Sequence, residues 1–101
     1  MTSGKVRPAQ DGVTDRFDDL VTALTGIINV DIMRRFLRDL CTVAELDAMG
    51  QRLHVASLVE RGVPYAEISR ATGASTATVT RVAHWLRYGE GGYLEVLKKE
   101  Q

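Results

Sequence analysis

The sequence predicts an all-α protein of about six short helices built around a helix-turn-helix. Three observations point there. Apolar residues recur at intervals of three and four along most of the chain, the period of a half-buried helix, and no stretch alternates as a strand would. Helix-starting residues and glycines punctuate these runs at regular places. Two very short helical stretches also meet at Gly73 with almost no connection between them.

Residues 1–13 hold Ser3, Gly4, Pro8 and Gly12 and few large apolar side chains, and read as a flexible tail. A solvated terminus is favoured there over a role for Lys5 and Arg7 on a phosphate backbone. Residues 14–101 are expected to form a single helical domain. Thr14 is a natural N-cap, and Phe17, Leu20, Val21 and Leu24 follow on one helical face until Gly26. A second helix starts near Asn29 or Asp31, with Ile32, Met33, Phe36, Leu37 and Leu40 as its apolar side. Thr42-Val43-Ala44-Glu45 fits a capping box for the third, in which threonine and glutamate satisfy each other's free amides. Its expected stripe is Leu46, Met49, Leu53, Ala56 and Val59, and Gly62 stops it.

The next helix spans about Tyr65 to Thr72, with Ile68 and Ala71 turned inward. Gly73 permits a left-handed turn, and Ser75 caps the succeeding helix. That helix runs from Thr76 to Arg87 with Val79, Val82, Ala83 and Leu86 inward. Gly89-Glu90-Gly91-Gly92 breaks the chain, and Tyr93 to Lys99 give a last short helix resting on Leu94 and Leu97.

Charge narrows the function classes. The chain has 101 residues and a formal net charge of zero, which argues against a generally basic coat for nucleic acid. The neutrality conceals an asymmetry. Between Asp11 and Asp47, four arginines face eight acids; between Arg61 and Gly89, Arg61, Arg70, Arg81 and Arg87 face Glu67 alone. A footprint for phosphate therefore lies in one segment. Cys41 is the single cysteine, so no intrachain disulfide forms, and a reduced, buried thiol is expected. No apolar run reaches the ~18 residues of a membrane span and no signal peptide is evident, so a cytoplasmic protein is expected.

The basic segment is the one with helix-turn-helix spacing. Ile68 lies five residues before Gly73, and Val79 and Val82 lie six and nine after it, where this motif packs its helices. Ser69 is small, as close helix approach requires. At about 100° per residue, Ala77, Thr80, Arg81 and His84 lie opposite the inward valines, and no acid occurs from Thr76 to Arg87. Short side chains admit close approach in a major groove, and threonine offers a hydroxyl and a methyl to base edges. Thr76, Ala77 and Thr80 are thus candidates for facing base edges, with Ser75, Arg81 and His84 among the expected DNA contacts. Ser69, Arg70 and Arg87 are placed to hold phosphate, and the partner is double-stranded DNA. The plainer account is that these hydroxyl residues cap and solvate a surface helix. From another class comes a dimerisation or adaptor module that has lost DNA binding, its acidic half serving a protein partner.

The run Thr42-Val43-Ala44-Glu45-Leu46 through Gln51-Arg52-Leu53, then Gly73-Ala74-Ser75-Thr76-Ala77-Thr78-Val79-Thr80-Arg81-Val82, resembles the tryptophan-repressor superfamily. It is nearest the bacterial YerC/YecD branch, including the tail Tyr88-Gly89-Glu90-Gly91-Gly92-Tyr93. The resemblance implies a transcription regulator, a repressor first of all, working as an intertwined homodimer with two projecting reading heads. It also implies a ligand pocket, here vestigial: Arg52 and Arg81 match the arginines flanking the repressor's indole, and Thr42 matches a residue receiving its amino group. Val82 and Trp85 stand where the repressor keeps a glycine and a serine, so free tryptophan is not expected to bind. Trp85 either lies in or near the vacated slot, where it could stack on Arg81 or Arg52, or covers the edge of the core. Ala66 replaces a basic DNA contact, and Pro64 replaces a helix cap.

Other chemistry is thin. His54, His84 and Cys41 lack paired ligand spacing, so no metal is expected. No nucleophile has a recognisable context, and Gly89 to Gly92 lacks the lysine and hydroxyl residue of a phosphate loop. No cofactor and no enzyme activity are expected.

Overall fold

The computed structural model describes residues 14–98, which form six helices and no strand. They are α1 (Asp15–Thr25), α2 (Val30–Leu40), α3 (Val43–Glu60), α4 (Tyr65–Thr72), α5 (Thr76–Tyr88) and α6 (Gly92–Lys98). The tail expected over residues 1–13 lies outside the described residues.

The helix starts follow from their caps. Thr14 accepts the Phe17 amide at 3.1 Å, and Asn29 accepts that of Ile32 at 3.0 Å, which fixes the start of α2 at Val30. Both arms of the α3 capping box form. The Glu45 amide donates to Thr42 Oγ1 at 3.0 Å, and the Thr42 amide donates to the Glu45 carboxylate at 2.7 Å. Hydrogen bonding with Thr42, its backbone amide first, holds the Glu45 carboxyl below the usual range, because a carboxylate that accepts hydrogen bonds is favoured in its charged form. Pro64 gives α4 no side-chain cap.

The chain divides into two compact units, one ending at Cys41 and one beginning at Thr42. In the first, neither α1 nor α2 buries a single residue. Their apolar faces are only partly covered: Leu20, Leu24, Met33, Phe36 and Leu37 are half-buried, Phe17, Val21, Val30, Ile32 and Leu40 are exposed, and Ile28 between the helices is 97% exposed. Cys41 is half-buried rather than buried, since it terminates α2 at the boundary between the units.

The second unit has a core. Val55, Ala56 and Val59 of α3 meet Ile68 of α4, then Ala74, then Val79, Val82, Ala83 and Leu86 of α5 and Leu97 of α6. Several expected inward positions differ. In α3, Met49 and Leu53 are exposed and Leu46 is half-buried, while Val55 is fully buried. Full burial on α3 is confined to its C-terminal half, where Val55, Ala56 and Val59 meet the short helices; upstream, Leu46, Ala48 and Gln51 are only partly covered. Ala71 is exposed because an eight-residue helix touches the core at one point, Ile68. Leu94 is exposed for the same reason, with Leu97 the one buried residue of seven in α6.

Candidate nucleic-acid interface

Side chains build the turn between α4 and α5 as much as the glycine does. Gly73 has φ +78°, the left-handed conformation that glycine adopts without steric penalty, and its amide returns to the Ser69 carbonyl at 2.9 Å. Thr72 Oγ1 donates to the Ile68 carbonyl at 2.7 Å and accepts the Ala74 amide at 3.1 Å. Ser69 Oγ donates to the Ala74 carbonyl. From α3, Gln51 Nε2 donates to the Thr72 carbonyl at 3.2 Å, tying the turn to the scaffold. Ala74 itself is buried. Ser75 then caps α5, accepting the Thr78 amide at 3.1 Å.

This frame sets the outer face of α5. Thr76, Ala77, Thr80, Arg81 and His84 line one open concavity of about 570 Å³. Five of the expected DNA contacts, including all three residues expected to face bases, therefore share a continuous surface, with Ser75 just before it as the cap. Arg70, Arg81 and Arg87 are exposed, and none is paired with an acid among the described residues. Arg87 Nη1 donates to the Tyr65 hydroxyl at 3.2 Å, linking the end of α5 to the start of α4. Ser69 is the exception among the phosphate candidates. Its one hydroxyl proton is engaged inside the turn, so donation to a phosphate would require breaking that bond.

A second concavity lies on the other side of Arg81. Ala48, Gln51 and Arg52 of α3, Thr78, Arg81, Val82 and Trp85 of α5, and Tyr93 of α6 line a cleft of about 390 Å³. Four of the five expected pocket residues meet here. Thr42 is not among the lining; its hydroxyl caps α3 instead. Trp85 is 56% exposed and lines the cleft rather than filling it. Its ring meets His84 edge-on, centroids 5.2 Å apart, rather than stacking on an arginine. His84 also approaches Tyr88 at 5.2 Å.

The family model described as Trp repressor protein matches residues 15–101 of this chain. The chain belongs to the Trp repressor family. It is 40% identical over 76 residues to the uncharacterized protein YerC of Bacillus subtilis, covering 75% of this chain and 73% of that one. It is 31% identical over 87 residues to the Trp operon repressor homolog of Actinobacillus succinogenes, covering 85% and 86% respectively. Among solved structures, a TrpR-like protein from Eubacterium eligens superposes with a TM-score of 0.82 at 34% identity, covering 86% of this chain and 90% of that one. At the level of the family this is a DNA-binding regulator and not an enzyme. No helix among the described residues is long and apolar enough to cross a membrane.

Gln51, Tyr65 and Tyr93 were not legible as site residues. Glutamine and tyrosine on exposed helix positions have many surface uses, and only the folded structure shows that Gln51 holds the turn and Tyr65 accepts from Arg87. The single signal was the placement of Gln51 inside the run that resembles the family.

Proposed function

We propose that this chain is a homodimeric, sequence-specific transcription regulator, acting as a repressor, that reads duplex DNA with the outer face of α5. The observation that supports it most is the continuous concavity of Thr76, Ala77, Thr80, Arg81 and His84, free of acids and bordered by arginines that make no ion pair among the described residues. In this reading the first turns of α5 meet base edges, and Arg70 and Arg87 hold phosphates. The unburied faces of α1 and α2, with Met49 and Leu53 on α3, favour a second copy of the chain as their cover. Two heads so joined would read half-sites one helical turn apart, roughly 34–36 Å.

Free tryptophan is not the effector in this reading. The cleft beside Arg81 falls within the usual size of a small-molecule site, so the exclusion rests on its wall and not its volume. Val82 and Trp85 stand on that wall, and an isopropyl group where a flat ring must lie costs about 1–3 kcal/mol in overpacking. Calorimetry with L-tryptophan should show no saturable heat; micromolar binding with a matching gain in DNA affinity would refute it.

Gel-shift titration of selected and random duplexes at several salt concentrations tests the main reading. The expected result is a shift that weakens with salt and favours the selected sequence. Light scattering should give twice the mass of one chain. Failure to shift any duplex at low salt would overturn DNA reading, and a stable monomer at micromolar concentration would overturn the dimer.

A further inference from the structure

The hydrogen bond from Arg87 to Tyr65 joins two exposed side chains that are 22 residues apart in sequence and belong to different helices of the motif. Arg87 makes no ion pair among the described residues, so its charge is not neutralised by the protein. It lies eleven residues beyond Thr76, about 16 Å along the axis at 1.5 Å per residue. At that distance from the base-facing turns it belongs beside the sugar-phosphate backbone. A free arginine side chain samples many rotamers, and fixing one on binding has an entropic cost.

We propose that Tyr65 is a positioning residue for DNA binding, holding the Arg87 guanidinium in place for a backbone phosphate before the duplex arrives. The proposal rests on the DNA-reading function above. The tyrosine oxygen accepts one guanidinium N–H, and arginine's remaining donors stay available to phosphate oxygens. Because Tyr65 begins α4 and Arg87 lies in the last turn of α5, the bond also ties the reading helix to the first helix of the motif. Tyr65 thereby converts a flexible cation into an oriented one without touching a base.

The test is a double-mutant cycle of Tyr65→Phe and Arg87→Ala, with affinities for a selected and a random duplex measured by fluorescence anisotropy across salt. Phenylalanine keeps the ring and removes only the acceptor. Tyr65→Phe is expected to weaken both duplexes equally, by about 3- to 10-fold, within the range for one ordinary solvent-exposed hydrogen bond. In the Arg87→Ala background the same change should have less than about a 1.5-fold effect, since nothing is left to position. Arg87→Ala alone should flatten the salt dependence by about one unit of slope, whereas Tyr65→Phe leaves it in place. Equal losses in both backgrounds would overturn the proposal, because Tyr65 would then act independently of Arg87. An unchanged affinity in the single variant would overturn it too. Either result leaves DNA reading intact if the unaltered protein binds; absence of binding by the unaltered protein would defeat both.

Discussion

Replacing Gly73 by alanine isolates the energetic contribution of one backbone angle. The residue holds φ +78°, and an added methyl carbon would meet nothing closer than Gln51 Nε2 at 3.9 Å, an ordinary contact. Sterics with neighbours therefore contribute little, and the left-handed conformation supplies the effect. For an L-residue that conformation costs about 1–2 kcal/mol. Alanine also stiffens the unfolded chain, which returns about 0.4–1 kcal/mol. The net expectation is a loss of about 1 kcal/mol, measured by urea unfolding of the full chain at fixed protein concentration. Gly73→Asn should lose less, since asparagine tolerates that region better. A stabilised alanine variant would refute the reasoning, as would a loss above about 3 kcal/mol, which would mean that packing and not φ decides.

Other contacts carry their own expected outcomes. Ile68→Ala, which empties the only buried position of α4, should cost about 2–5 kcal/mol by the same unfolding assay, whereas Ala71→Ser should stay within about 0.5 kcal/mol. Thr42→Ala should destabilise by about 0.5–2 kcal/mol through loss of the cap. Glu45 has a folded pKa below its ordinary 4.5, so its stabilising effect is complete above that value and fades as pH falls through the lower folded one. Glu45→Gln should keep the capping box while removing that part of the acid dependence, visible in unfolding midpoints between neutral and acid pH. Thr80→Ala should change which duplex is preferred in a selection from random DNA, and Arg87→Ala should weaken all duplexes alike.

Local signals proved the most legible part of the chain. Thr14, Thr42 and Ser75 announced their helices because a cap depends on residues three apart, which sequence displays directly. Gly73 was readable because glycine is the residue that adopts its left-handed angle without steric penalty. Burial was less legible. Leu53 and Val55 are both apolar and two apart on α3, yet only Val55 is buried, since the choice depends on where α4 and α5 land. The exposed face of α5 could be inferred because its opposite face is fixed by Val79, Val82, Ala83 and Leu86, all of which are buried. The bonds from Gln51 to Thr72 and from Arg87 to Tyr65 lie 21 and 22 residues apart, with no periodicity to reveal them.

The alternation along α5 has an evolutionary consequence. Thr76, Ala77 and Thr80 are exposed and take no part in the core, so under the proposed reading the positions that would choose a sequence differ from those that hold the fold. On that reading a change of genomic address at these three places would need no compensating mutation in the core, and a designer could randomise them on an unchanged scaffold. Arg81 alone escapes that freedom. It lines both the proposed reading surface and the neighbouring cleft, so any replacement there alters two surfaces at once.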